Sequence, residues 1–160
     1  MNEPGKRMTL IVFSNDMDKA MAAFILATGA ASSGMQVTMF FTFWGLSLLR
    51  KTKPAPQSRT LVEKLFGWML PKGADDATLS KMNFMGAGTM MMKGIMRKKM
   101  MPRLGEFLTI ALSLGVKIVA CTTSMEMMGI KKDDLIDGLD IGGVTTYLGA
   151  ACDSGINLFI

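Results

Sequence analysis

Cys121 is the side chain in this sequence best placed to do chemistry. It follows an apolar run at residues 116–120, which predicts a short buried strand. Thr123 with Glu126 three residues later forms a capping-box pattern, which predicts the start of a helix. A thiol on a strand-to-helix turn lies close to unpaired backbone N–H groups and to the positive end of a helix dipole. Such surroundings favour the thiolate, so we expect a reactive, accessible thiol, with a small buried hydrophobe as the alternative.

Three hydroxyl side chains, Thr122, Thr123 and Ser124, follow the thiol directly. Together with the N–H groups of the same turn, they are candidate donors to a thiolate or to a bound sulfur atom. Helix capping is the ordinary role of such hydroxyls and stays open as the alternative for each of them. The chain contains no histidine, so the commonest general base and metal ligand is missing. A nucleophile in this chain must therefore be activated by backbone dipoles and cations.

The second thiol, Cys152, lies four residues after Leu148, on the predicted inner face of a C-terminal helix that also carries Val144, Tyr147 and Ala151. This spacing predicts a thiol packed in the core. A resolving or second relay cysteine is the alternative. Two cysteines make no disulfide framework, and this is typical of a reducing compartment.

The composition is that of one globular domain. The chain has 160 residues, of which 49% are hydrophobic and 19% charged, and its net charge is +5. We expect a single domain over residues 1–160 with a basic, Met-rich insertion at about residues 51–101. The apolar stretches are too short for a signal peptide or a bilayer span. We therefore expect a cytoplasmic protein, and peripheral membrane contact stays open.

Strands and helices alternate along the chain. Strands are predicted at residues 8–14, 37–43, 116–120, 139–141 and 156–160. Helices are predicted at residues 17–33, 46–50, 61–70, 103–114, 123–128, 133–137 and 143–154. Such alternation predicts a mainly parallel five-stranded sheet covered on both faces, a three-layer α/β/α sandwich.

The predicted sheet gathers several polar and aromatic side chains at one edge. In such sheets ligands bind beyond the C-terminal ends of the strands. The loops at that edge carry Asn15 and Asp16 after the first strand, Trp44 after the second and Cys121 after the third. We therefore predict that Asn15, Asp16 and Trp44 form the rim of the site around the thiol.

Residues 82–101 contain eight methionines and a basic cluster. The basic side chains are Lys93, Arg97, Lys98 and Lys99. Methionine suits adaptable binding surfaces, so we interpret this segment as a mobile cover or interface near the thiol, with core or subunit packing as the alternative. Without histidine or clustered cysteines, a metal site is not expected. The cluster lacks interleaved aromatic residues, so a nucleic-acid partner is not expected either.

Several segments, taken together in their order, resemble the DsrE/DsrF-like sulfurtransferase family, in its enlarged single-chain branch. They are Phe-Ser-Asn-Asp at 13–16, Phe-Phe-Thr-Phe-Trp-Gly at 40–45, Ile-Val-Ala-Cys-Thr-Thr-Ser-Met at 118–125, Met-Gly-Ile at 128–130 and Ile-Gly-Gly-Val at 141–144. The Met-rich stretch at 86–91 fits the same family, so the resemblance covers most of the chain.

The resemblance implies a three-layer α/β fold, assembly into trimers or hexamers and a cysteine that carries sulfur as a persulfide. That cysteine maps onto Cys121. The implied partners are small TusA-like sulfur-carrier proteins, and no cofactor is implied. Our leading hypothesis is a sulfur relay in which Cys121 accepts sulfane sulfur and passes it to an acceptor thiol. The alternatives are a non-catalytic oligomeric module that binds a sulfur carrier or a small ligand, and a thiol-disulfide component that pairs Cys121 with Cys152.

Overall fold

The structure is a computed structural model, and it describes residues 6–52 and 71–160. Its sheet has five parallel strands in the order β4-β3-β2-β1-β5. The strands are β1 (Arg7–Val12), β2 (Gln36–Phe41), β3 (Lys117–Cys121), β4 (Asp140–Gly142) and β5 (Ile156–Phe159). The predicted five-stranded parallel sheet is therefore confirmed, with small shifts at the strand ends.

Five α-helices connect or flank these strands in the described part of the chain. They are α1 (Met17–Ser32), α2 (Ala87–Lys98), α3 (Leu104–Ser113), α4 (Thr122–Met128) and α5 (Val144–Cys152). Short 3₁₀ segments lie at Phe43–Leu49, Ala74–Asp76, Phe84–Gly86 and Lys132–Asp134. The helix predicted at 133–137 is only the last of these turns, and the one predicted at 61–70 lies outside the described residues. Among the described helices, none is long and apolar enough to cross a bilayer.

The strand order decides which face of the sheet each helix covers. The strands β1 to β4 follow one another across the sheet, whereas β5 returns to the far side of β1. Right-handed crossovers place helices on one face while the chain advances across a sheet, and on the other face when it returns. Accordingly, α1 and α3 pack together on one face, and α5 crosses the other. This gives the predicted α/β/α sandwich.

The face under α1 and α3 holds the main hydrophobic core. Phe24 of α1 packs on Phe41 of β2 with 6.0 Å between ring centroids, and both side chains are fully buried. The residues of α1 that face the sheet are otherwise mostly alanines: Ala20, Ala23 and Ala27. Such small side chains let a helix lie close to a sheet, so nearly every residue on this face of the strands is buried.

The opposite face is thinly covered. Its buried cluster consists of Phe40, Val119 and Cys121, with Tyr147 of α5 partly buried against them. No residue of α5 is buried. This face therefore has a small core that depends on one lightly packed helix.

The prediction that one face of α5 is buried is wrong at three positions. Val144 and Leu148 expose 62% and 51% of their surface, and Cys152 is exposed rather than packed in the core. Helical periodicity identifies an apolar face of a helix, but it does not show whether this chain or another molecule covers that face. In the single chain, the apolar face of α5 is exposed to solvent.

Candidate functional site

Cys121 is the last residue of β3 and also the N-cap of α4, which begins at Thr122. Its backbone is extended (φ −70°, ψ 118°), as is usual for an N-cap residue. The prediction that Thr123 and Glu126 form the capping box is therefore wrong by two residues. The thiol itself takes the N-cap position, and Ser124 occupies the third helical position, where an N-cap side chain normally finds its backbone donor.

Two hydroxyl groups converge beside the thiol. The Oγ1 atom of Thr42 and the Oγ atom of Ser124 lie 2.7 Å apart and share a hydrogen bond. The register of β2 and β3 pairs Phe41 with Ala120, so the next residue of each chain segment brings Thr42 beside Cys121. Sequence reasoning placed the loop of Thr42 at this edge but missed Thr42 as a donor. The signal was its position directly after a strand that neighbours β3.

These donors stabilise the thiolate. Burial alone raises the pKa of Cys121, but hydrogen bonding to Ser124, to the Thr42 hydroxyl and to the backbone N–H of Thr123 outweighs it. Ser124 contributes through both its hydroxyl and its backbone N–H. The resulting pKa lies below the ordinary thiol value. All these groups are neutral donors, so the anion is held by dipoles at a helix start and by hydroxyls.

The thiol is shielded in the single chain. Cys121 exposes 7% of its surface and belongs to the small cluster under α5. Tyr147 packs against that cluster, with 5.4 Å between its ring centroid and that of Phe40. The prediction of an openly accessible thiol is therefore wrong for the isolated chain. Position at the ligand-binding edge of the sheet did not ensure exposure, because α5 reaches over that edge.

The predicted rim residues do not reach the thiol. Asp16 instead accepts hydrogen bonds from Ser14 (2.8 Å) and Lys19 (2.7 Å). Trp44 is an exposed residue of a 3₁₀ segment, and Asn15 is half-buried in the loop before α1. In residues 6–52 and 71–160, no hydrogen bond joins Asn15, Asp16 or Trp44 to the thiol. These residues lie at the expected edge of the sheet, but none of them donates a hydrogen bond to the Cys121 thiol.

A close backbone approach fixes the loop that carries Thr42. The Thr42 N–H donates to the Val12 carbonyl (3.1 Å), and the Gly45 N–H donates to the Phe13 carbonyl (2.8 Å). A Cβ atom at Gly45 would overlap the Val12 carbonyl oxygen. Only glycine fits there without a backbone shift, so Gly45 holds the donor loop against the end of β1.

The remaining candidate residues lie apart from the donor set. Thr122 is half-buried at the first position of α4 and makes no hydrogen bond through its hydroxyl within the described residues. Cys152 ends α5, whose axis runs for about 12 Å from the edge that carries Cys121 towards the start of β5. A disulfide needs Cα atoms within about 7 Å, so this geometry disfavours a bridge between the two thiols.

The Met-rich segment does not cover the thiol. Met96 of α2 belongs to the main core beneath α1 and α3, whereas Cys121 faces α5 across the sheet. The prediction of a cover near the thiol is therefore wrong for α2. No helix was predicted here, yet Ala87–Lys98 forms a regular helix with several exposed methionines. No group of three possible metal ligands occurs among the residues that the structure describes.

Comparison with known proteins identifies the family. The DsrE/DsrF/DrsH-like family matches residues 4–159, almost the whole chain. The chain belongs to this family. The resemblance carried by the sequence motifs is thereby confirmed.

Two relatives and one solved structure agree with this membership. YrkE of Bacillus subtilis strain 168 is 46% identical over 160 residues and covers 100% of both chains. The sulfur carrier protein DsrE2 of Allochromatium vinosum is 32% identical over 159 residues, with 97% of this chain and 98% of DsrE2 aligned. The crystal structure of the YchN protein from E. coli has a TM-score of 0.57 at 11% identity, covering 96% of this chain and 98% of YchN. That last likeness shows the shared fold.

Proposed function

We propose that this DsrE-like protein takes part in sulfur relay and carries sulfane sulfur as a persulfide on Cys121. The Cys121 thiolate attacks the outer sulfur of a donor persulfide, R–S–SH. A bond forms between the Cys121 Sγ atom and that sulfur, the donor S–S bond breaks, and RS⁻ leaves with the bonding electron pair. An acceptor thiolate then attacks the same outer sulfur, and Cys121 leaves as a thiolate. Neither step needs an external oxidant or reductant.

The observation that carries this proposal is the donor set around Cys121. Ser124, Thr42 and the N–H of Thr123 favour the thiolate, which is the attacking group when sulfur arrives. The same donors stabilise Cys121 as the leaving group when sulfur departs, and a leaving thiol of lower pKa leaves faster. One site thus serves both half-reactions. The name of DsrE2, a sulfur carrier that aligns along its whole length, supports the same role.

In this proposal a reagent reaches the Cys121 thiol when α5 moves away from the sheet, or by passing beside α5. Tyr147 is the partly buried residue that packs on the cluster containing Cys121. Because no residue of α5 is buried, few packing contacts are lost when this helix moves. The partner in this proposal is a small TusA-like carrier that brings its own thiol to this edge of the sheet.

The proposal includes a homo-oligomer, a trimer or hexamer, in the cytoplasm. Apolar side chains remain exposed on α5 and on the strands at both edges of the sheet. They include Val144, Leu148, Ile141, Ile156 and Phe159. Exposed apolar patches are typical of subunit interfaces. We further propose that the chain acts as one unit, in which residues 51–101 are an insertion.

Mass spectrometry after incubation with glutathione persulfide tests the transfer. We expect a one-sulfur adduct on Cys121 that persists in Cys152→Ser and is absent from Cys121→Ser. We also expect addition of a TusA-like carrier to remove that sulfur from Cys121 and place it on the carrier thiol. An adduct confined to Cys152 would contradict the proposal.

A second function is favoured by the low exposure of the thiol, 7%. In this case the protein is a non-catalytic oligomeric module that binds a sulfur carrier or a small ligand at the same edge. Carrier binding that survives in Cys121→Ser, together with no sulfur adduct on the wild-type chain, would favour this module over the relay.

A further inference from the structure

A cavity of about 520 Å³ lies on the opposite side of the sheet from the thiol. It is open to solvent on one side and is bordered by α2, the turn Ala74–Asp76 and the start of α3. Its apolar lining is mostly methionine, together with Pro102 and Leu104. Met17 and Met96 are buried, whereas Met100 and Met101 are exposed at the rim. A concave site of this volume, with an apolar wall and a few charged groups, is typical of small-molecule binding sites in proteins.

Three cations line the same cavity. Lys93 donates through its Nζ atom to the Asp75 carbonyl oxygen at 2.6 Å. Arg97 and Arg103 also line it, and in the described ranges neither guanidinium has a hydrogen-bond or ion-pair partner. Each guanidinium group is planar and carries five N–H donors. Both groups therefore lie beside the apolar lining without a carboxylate partner among the described residues.

The two acidic side chains of the cavity are already engaged by backbone donors. The Asp75 Oδ1 atom accepts from the Gly105 N–H at 3.1 Å, and the Glu106 Oε2 atom accepts from the Arg103 N–H at 2.6 Å. These contacts hold both carboxylates at the start of α3, where the helix dipole favours negative charge. Both carboxylates keep their negative charge, so with Lys93, Arg97 and Arg103 the lining carries a net charge of +1. Arg97 and Arg103 are exposed to solvent, and their guanidinium groups are free to bind a ligand.

We propose that this cavity binds an amphipathic carboxylate, a medium-chain fatty acid or a molecule of that chemistry. The carboxylate pairs with Arg97 and Arg103, and the aliphatic tail lies along Met96, Met101 and Leu104. Arginine pairs with carboxylates through two parallel hydrogen bonds, which explains the preference for this head group. Methionine side chains adapt their shape to a flexible tail, which explains the composition of the wall.

The volume of the cavity limits how much of a ligand the protein can surround. With about 30 Å³ for each water-sized group in a liquid, the cavity holds on the order of 17 non-hydrogen atoms. Decanoate and dodecanoate fall below this limit, and a two-chain phospholipid exceeds it. The site therefore suits a free single-chain amphiphile better than a lipid in a membrane.

Titration of the full-length chain with monomeric decanoate tests this inference. Binding is measured by isothermal titration calorimetry, and the binding site is mapped by NMR of ¹³C-methyl-labelled methionine. We expect decanoate to shift the methyl signals of Met96 and Met101 and to leave that of Met127, which lies on α4 outside the cavity, unchanged. Decanol and decyltrimethylammonium, which have the tail without the negative charge, should bind at least about tenfold more weakly.

Paired variants separate the cavity from general surface charge. Arg97→Gln with Arg103→Gln should weaken decanoate binding by about tenfold or more. Lys98→Gln with Lys99→Gln removes the same net charge from the exposed end of α2, outside the cavity, and should leave binding unchanged. An equal loss in both pairs would overturn the proposal.

Three further results would also overturn it. The first is decanol binding as tightly as decanoate, since the cations would then have no role. The second is no binding of monomeric decanoate, and the third is binding only to phosphatidylglycerol vesicles, which would assign the surface to a membrane. None of these outcomes involves Cys121, so this test is independent of the sulfur-relay proposal.

Discussion

Removing the Ser124 hydroxyl is the sharpest test of how this site holds a thiolate. Ser124→Ala deletes one donor to Cys121 and the hydrogen-bond partner of Thr42. It leaves the backbone N–H groups of Thr123 and of residue 124 in place. Burial raises the pKa of Cys121, and fewer hydrogen bonds then remain to lower it. We therefore expect the pKa of Cys121 to rise in Ser124→Ala.

The size of the effect follows from the energy of one donor. A hydrogen bond to a charged group contributes about 1.5–3 kcal/mol, and about 1.4 kcal/mol is a factor of ten in an equilibrium. Because the backbone donors and the Thr42 hydroxyl remain, we use the lower end of this energy range for the loss of the Ser124 hydroxyl. At a pH below the pKa of Cys121 in both proteins, the thiolate fraction should fall about tenfold.

The assay is the rate of iodoacetamide alkylation of Cys121 against pH, measured by mass spectrometry in a Cys152→Ser background. The matched control is Thr123→Ala, because Thr123 lowers the pKa through its backbone N–H and its exposed side chain is dispensable for that. We expect the profile of Thr123→Ala to match the parent. If Ser124→Ala also matched the parent, the assignment of Ser124 as a donor to the thiolate would be refuted.

The same lowered pKa fixes the sign of a stability effect. The folded chain holds the Cys121 thiolate more favourably than the unfolded chain does. Its contribution to the free energy of unfolding is therefore fully present above the pKa of the unfolded thiol, and it is lost as the pH falls through the folded pKa. Urea unfolding of the parent and of Cys121→Ser across this range should show a difference that shrinks towards low pH, and a difference that grows would contradict it.

Three further substitutions test the remaining features. Tyr147→Ala should speed alkylation of Cys121 several-fold at fixed pH, because Tyr147 packs on the cluster that shields the thiol; an unchanged rate would mean that another group controls access. Leu148→Glu should lower the mass of the proposed oligomer in analytical ultracentrifugation, because it charges the exposed apolar face of α5; an unchanged assembly would place the interface elsewhere. Gly45→Ala should lower the free energy of unfolding in urea by about 2 kcal/mol, because its Cβ would overlap a carbonyl oxygen of β1; Gly29→Ala, with open space around its Cβ, is the control that should not be destabilised.

The three central strands, β1 to β3, could be predicted because each contains an apolar run of the right length between turn residues. Parallel strands are buried on both faces, so they lack the alternation of an exposed strand, and residues 8–12 and 37–41 show this directly. The glycines at positions 34 and 115 have φ angles of 83° and 76°, and they end α1 and α3 as the sequence indicated.

Other features could not be read from the sequence because they depend on contacts between distant segments. The Thr42–Ser124 hydrogen bond joins residues 82 positions apart, and only the β2–β3 register brings them together. Likewise, the shielding of Cys121 depends on Tyr147, which reaches it by a crossover on the second face. The apolar face of α5 has the right period for burial, yet it stays exposed in the fold of the single chain.

The sequence by itself determined the order of the strands along the chain, the family and the position of Cys121 at a strand-to-helix junction, because each of these depends on residues that are neighbours along the chain. Only the tertiary structure decided that the thiol is an N-cap, that Thr42 and Ser124 meet beside it and that α5 shields it. Hydrogen bonding and burial depend on distances of a few ångströms between remote residues, and strand register together with crossover direction sets those distances.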